Sequence, residues 1–123
     1  MDVSSKKILV IDDNNTIRGF VSQMLCRLGY EVSSADSGEN GLSLFLRNQF
    51  DLVITDFEMP GMDGINLAHC IKEKSPSTQV VLMTGNEKEV ILPRIKDSAV
   101  DLALFKPFNL VDIDETIQTL LYH

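Results

Sequence analysis

KILVIDD, residues 7–13, is a short apolar run that stops on two adjacent carboxylates, Asp12 and Asp13. The pattern recurs along the chain: DLVIT (51–55) ends at Asp56, VVLM (80–83) at Thr84 and LALF (102–105) at Lys106. Runs this short, rich in β-branched and leucine side chains, fit strands buried on both faces. In an open parallel sheet, ligands sit in the crevice outside the carboxyl ends of the strands, so the residues closing the runs converge. Carboxylates, a hydroxyl and an ammonium would meet there, a set suited to phosphoryl transfer.

Between the runs the periodicity changes to that of helices, and alternation of this kind predicts βαβ units around a parallel sheet. Ile17, Val21, Met24, Leu25 and Leu28 recur at helical spacing, and Gly29 supplies the stop. Tyr30 to Ala35 reads as a second strand, with Asp36 or Ser37 as the N-cap of a helix carrying Leu42, Phe45 and Leu46. Asn40 stands where a full capping box would want Glu or Gln. The third strand is expected from Asp51 to Thr55, and Pro60-Gly61 and Asp63-Gly64 mark a turn-rich loop before a helix with Ile65, Ala68 and Ile71. A fourth strand spans Gln79 to Met83, and a fifth, Leu102 to Phe105, leads through Lys106-Pro107 into a last helix. That helix is capped by Asn109 and striped with Leu110, Ile113, Ile117 and Leu120. Pro93, inside EVILPRIKDSA, predicts a short or bent fourth helix.

With 123 residues, the length fits one compact domain, residues 1–123, and the polar MDVSS start reads as a frayed end. A hydrophobic fraction of 44% with 24% charged residues is that of an ordinary globular chain. No apolar run approaches the roughly 20 residues a membrane span needs, and the start has no signal-peptide core, so a cytoplasmic setting is expected. A net charge of −7 opposes contact with the phosphate backbone of nucleic acid. Cys26 and Cys70 have no partners at metal-ligand spacing and read as packing or surface thiols. His69 and His123 read as surface residues outside the site.

IDD near the start, Asp56 shortly before MPGMDG, Thr84-Gly85 after the fourth strand and KPF at 106–108 resemble the receiver domains of response regulators, over essentially the whole chain. The resemblance implies an α/β, doubly wound, flavodoxin-like fold: a five-stranded parallel sheet of order 2-1-3-4-5 with helices on both faces and a crevice between strands one and three. It also implies a phosphorylation-activated switch rather than an enzyme. A sensor histidine kinase or phosphotransfer protein would supply the phosphoryl group. A downstream protein target would be met through the fourth helix, fifth strand and fifth helix, and pairing of two copies on phosphorylation stays open.

The chemistry also follows from the residues themselves. Crowding Asp12, Asp13 and Asp56 costs on the order of 4 kcal/mol per close pair at an effective dielectric near 20. A hard divalent cation removes that cost, and Mg²⁺ suits a site with few carboxylates, waters and phosphate oxygens. By resemblance the ligands are Asp13, Asp56 and the backbone carbonyl of Glu58, with Asp12 acting directly or through water. Asp56 is the candidate phosphoacceptor, and Lys106 and the Thr84 hydroxyl the candidate partners of the phosphoryl oxygens. In receivers the Lys-Pro bond is commonly cis, and the Glu58 and Asn86 side chains border the site and tune hydrolysis.

Each residue alone has a plainer reading. Asp12, Asp13, Asn14 and Asn15 could cap a helix, Asp56 could belong to a solvated loop with Glu58 and Asp63, Thr84-Gly85 could be a turn and Lys106 a surface lysine. Met59 and Met62 fit either an exposed contact surface or packing under the loop. The functional roles gain weight because the site needs all of them at once. One departure from the family stands out: Ala103 occupies the position of the tyrosine or phenylalanine whose ring follows the threonine on phosphorylation. Phe105 has the same strand parity and is the candidate substitute. Two other functions compete: a receiver-like scaffold that signals by contact without phosphorylation, and an aspartyl-nucleophile phosphohydrolase. The second fits poorly, because the DxD motif that supplies its general acid reads DFE at 56–58.

Overall fold

The computed structural model describes residues 6–122. Strands and helices alternate: β1 (Lys7–Ile11), α1 (Asn15–Arg27), β2 (Glu31–Ala35), α2 (Gly38–Arg47), β3 (Leu52–Asp56), α3 (Gly64–Lys74), β4 (Gln79–Thr84), α4 (Lys88–Ile95), β5 (Leu102–Phe105) and α5 (Leu110–Leu121). The sheet order is β2-β1-β3-β4-β5 and every pairing is parallel, as expected. The fraying expected of residues 1–5 and the surface placement of His123 fall outside the described residues.

The side chains of the central strands alternate between two apolar layers. Leu9, Ile11, Val53, Val80 and Leu82 face one, where Phe45, Leu67, Ile71 and Ile91 of α2, α3 and α4 pack. Ile8, Val10, Leu52, Ile54, Val81 and Met83 face the other, closed by Val21 and Leu25 of α1 and Ile113 and Ile117 of α5. Because both faces are covered, β3 is buried along its whole length, which is why its sequence shows no alternation. At the edge, β2 instead exposes Glu31, Ser33 and Ser34, polar side chains that discourage pairing with another sheet.

The helix starts follow their caps. Side-chain oxygens of Asn14, Ser37, Asp63 and Asn109 each accept a backbone N–H three residues on, from Ile17, Asn40, Asn66 and Asp112. Of the two candidates before α2, Ser37 is the cap, and Asp36 Oδ1 instead accepts from the Asn40 side chain at 2.7 Å. At α5 the Asp112 carboxylate returns a bond to the Asn109 N–H at 2.9 Å, completing a capping box. Gly29 closes α1 at φ 97°, a left-handed conformation that glycine adopts without strain. Two apolar side chains depart from the stripe reading: Leu46 is 54% exposed and Leu110 38% exposed. Tyr30 is buried just ahead of β2 instead of opening it, and Asp56 closes β3 as a strand residue.

The fourth helix is short, as Pro93 predicts, and the proline sits inside it. At the opposite end of the sheet from the aspartates, the Lys6 Nζ lies 5.8 Å from the centre of the Tyr122 ring, so the first and last described residues meet. No helix among the described residues is long and apolar enough to cross a membrane.

Candidate functional site

β1 and β3 are hydrogen-bonded neighbours whose registers bring Ile11 beside Thr55. The next residues out, Asp12 and Asp56, therefore emerge side by side at the carboxyl edge. Asp12, Asp13 and Asp56 each present a carboxylate oxygen within 4.8 Å of the others. Asp12 and Asp56 are buried, at 1% and 7% exposure, while Asp13 faces solvent. Lys106 comes from beyond β5, across β4, and its Nζ donates to Asp56 Oδ1 at 2.9 Å. The Lys106–Pro107 peptide is cis, and the Lys106 N–H donates to the Thr84 carbonyl at 2.7 Å.

Two of the plainer readings give way and one survives in part. Asn14 is the α1 cap, but Asp12 turns inward: its Oδ1 accepts the Asn14 N–H at 2.9 Å, and its backbone carbonyl accepts from Arg18 Nη1 at 2.7 Å. Asp56 belongs to the strand, not to a solvated loop, and Lys106 is half-buried in an ion pair. Met59 is buried and Met62 half-buried, so the loop methionines pack under the loop. His69 is a surface residue paired with Glu73, and the two thiols are free, Cys26 exposed and Cys70 half-buried.

Burial of the Asp56 carboxylate pushes its pKa above 3.8; the Lys106 hydrogen bond and charge oppose that rise, and the charges of Asp13 and Glu58 add to it. Burial likewise raises Asp12, opposed by the Asn14 N–H and reinforced by the Asp56 charge. Burial thus makes the charged form of both carboxylates costly. Asp12 Oδ2 shows the same imbalance in hydrogen-bonding terms, being buried with no partner among the described residues. An unpartnered buried oxygen flanked by two further carboxylates is the donor set a hard divalent cation takes, so the residues fit Mg²⁺.

The loops beyond β3 and β4 are tied across the mouth of the site. Asn86 donates from Nδ2 to Glu58 Oε1 at 2.9 Å and to Thr84 Oγ1 at 3.2 Å, and its N–H donates to the same hydroxyl at 3.0 Å. With that oxygen accepting, the Thr84 proton is left for another acceptor. Glu58 itself is exposed. Gly64 opens α3 directly against the end of β3: a Cβ there would stand 2.5 Å from the Asp56 carbonyl oxygen. The glycine of Asp63-Gly64 reads in sequence as a turn signal, and its close approach to Asp56 has no local signature. Phe105 pairs with Thr84 and Ala103 with Leu82 in the β4–β5 register, and both side chains are half-buried against the same apolar layer.

Fold and site together define a doubly wound α/β domain with a cation-adapted acidic crevice and a lysine at its mouth. The chain belongs to the response regulator receiver domain family, whose model matches residues 8–118. It is a phosphoacceptor signalling switch of that class. Among curated relatives, the autoinducer 1 sensor kinase/phosphatase LuxN of Vibrio campbellii is 36% identical over 106 residues, 86% of this chain but 12% of LuxN. The receiver protein CpdR of Brucella abortus is 33% identical over 116 residues, 94% of this chain and 97% of CpdR. Among solved structures, the chemotaxis protein CheY4 of Vibrio cholerae superposes with a TM-score of 0.89 at 30% identity, covering 94% of this chain and 98% of that one. The response regulator TrrA of Thermotoga maritima, in complex with Mg²⁺ and beryllofluoride, gives 0.85 at 34% identity, with coverage of 94% and 99%. A structure of the histidine kinase ThkA in complex with TrrA gives 0.78 at 33% identity, with coverage of 94% and 98%.

Proposed function

We propose that Asp56 is the phosphoacceptor, with a sensor histidine kinase or phosphotransfer protein as donor. The observation that carries this reading is the buried Asp56 carboxylate held by Lys106 Nζ at 2.9 Å within the Asp12–Asp13–Asp56 cluster. An Asp56 oxygen forms the new O–P bond as the donor's P–N bond breaks. The imidazole leaves with that electron pair and takes a proton from solvent. Lys106 then shifts its hydrogen bond from the carboxylate to a phosphoryl oxygen, and the Thr84 proton serves a second. Asp12, Asp13, Asp56 and the backbone carbonyl of Glu58 would hold Mg²⁺, which supplies charge neutralisation for the incoming group.

The domain works by population shift, since the phosphoryl contacts of Thr84 and Lys106 exist in one form alone. Its role is regulatory, without turnover of a separate substrate, in the cytoplasm. Residues 1–123 act as one receiver unit, and a protein target is met on the face of α4, β5 and α5 without direct contact to nucleic acid. The histidine kinase complex of TrrA and the match to the sensor kinase LuxN support the donor class. Ala103 favours a second reading, a scaffold that binds its partner regardless of phosphate, because the usual aromatic relay is missing.

Incubation with Mg²⁺ and a small acyl phosphate, followed by intact mass, tests the proposal. One added phosphoryl group is expected, lost in Asp56→Asn and in the presence of a chelator. Absence of an adduct in the unmodified chain would sink the acceptor assignment and leave the scaffold, for which Asp56→Asn binds the partner unchanged.

A further inference from the structure

α4 sends Ile91 into the core, and two cations flank that residue at intervals of three, on the same side of the helix. Lys88 Nζ lies 5.6 Å from the centre of the Phe105 ring, and Arg94 Cζ lies 4.8 Å from the centre of the Phe57 ring. The two rings hold particular places in the sequence: Phe57 follows Asp56 and Phe105 precedes Lys106. The cations at the two ends of α4 therefore grip the immediate neighbours of the two members of the Asp56–Lys106 ion pair.

Both rings are attached to backbone that cannot yield independently of the site. Phe57 donates its N–H to the Met83 carbonyl at 2.9 Å and accepts the Gly64 N–H at 3.1 Å, and its ring is buried. Phe105 pairs in register with Thr84, and the N–H of the next residue, Lys106, donates to the Thr84 carbonyl. A shift of Asp56 or Lys106 moves a ring against its cation, and a displacement of α4 pulls on both rings. The spacing of about 9 Å between residues six apart on a helix matches a clasp that spans the site from one side to the other.

We infer that Lys88 and Arg94 are positioning residues: through Phe105 and Phe57 they hold the Asp56–Lys106 ion pair together. The inference rests on the phosphoacceptor reading. Because a phosphoryl group on Asp56 must draw Lys106 Nζ off the carboxylate it now bonds, the clasp opposes its entry, and whatever lifts α4 eases that entry by the same factor. Lys88 and Arg94 are exposed, and a cation–π contact at an exposed site shifts an equilibrium by about two- to fivefold.

The test is calorimetric titration of the Mg²⁺-loaded full chain with beryllofluoride as the phosphoryl mimic. Lys88→Met and Arg94→Met keep the apolar stem and remove the charge. Each is expected to tighten binding about two- to fivefold, the double variant by the product, and Lys88→Arg and Arg94→Lys to stay at the level of the unmodified chain. Unchanged or weaker binding in the Met variants overturns the inference, as does any failure of the charge-conserving variants to differ from them. Should the double variant not fold, the single substitutions decide. If the unmodified chain and Asp56→Asn both ignore beryllofluoride, the phosphoacceptor reading falls and the inference with it; binding by the unmodified chain without a shift in the variants removes the inference alone.

Discussion

A carboxylate with one oxygen hydrogen-bonded and the other buried without a partner, as in Asp12, is poised for something positive. Replacing it by Asn keeps the Oδ1 acceptor for the Asn14 N–H and turns the orphan oxygen into a donor facing two carboxylates. In metal-free protein Asp12→Asn is expected to raise stability by about 1–3 kcal/mol, the scale of an unsatisfied buried polar group, read from denaturant midpoints. The sign of the pH dependence follows from the raised pKa values of Asp12 and Asp56. The fold binds their protons more tightly than the unfolded chain does, so their contribution is fully present below the ordinary 3.8 and is lost as pH rises through the raised values. The gap between Asp12→Asn and the unmodified chain should widen from acid to neutral pH and close again when Mg²⁺ saturates the unmodified chain. A gap independent of both pH and Mg²⁺ would contradict the electrostatic account.

Among the elements, α4 is where sequence and structure pull against each other. Pro93 lacks the N–H that would reach the Glu89 carbonyl one turn earlier, yet the helix runs through it from Lys88 to Ile95. Pro93→Ala restores that donor and is expected to slow amide exchange in α4 and add on the order of 1 kcal/mol, well short of the ~3 kcal/mol of a mid-helix proline because the helix end is near. Unchanged exchange in residues 88–95 would mean the helix is limited by its packing, not by its backbone. The strands carrying the site were legible because burial on both faces leaves an uninterrupted apolar run and the polar residue that ends it marks the sheet edge. Asp12, Asp56, Thr84 and Lys106 are read directly from that rule. The exposure of Leu46 and Leu110 was not, because periodicity shows which residues share a face and not how far a neighbour extends. The Asn86–Glu58 bridge and the two ring contacts of α4 join loops and helices distant in sequence, and no local pattern encodes them.

At the scale of the molecule, a net charge of −7 on 123 residues adds self-repulsion to the local crowding at the site. Monovalent salt screens the first and leaves the buried part of the second largely intact. Raising KCl from about 10 mM to about 200 mM, where the screening length shrinks from ~30 Å toward ~8 Å, is expected to raise the melting temperature of metal-free protein. A further rise on adding Mg²⁺ at high salt should require Asp56; if Asp56→Asn responds equally, the Mg²⁺ effect is general screening and not a bound ion. The meeting of Lys6 with Tyr122 at the far edge of the sheet has an architectural meaning. A strand of five residues is ~17 Å long, so this contact stands about that distance from Asp56. A partner seated over Asp56 at one end of the sheet thus leaves the Lys6–Tyr122 contact at the other end undisturbed.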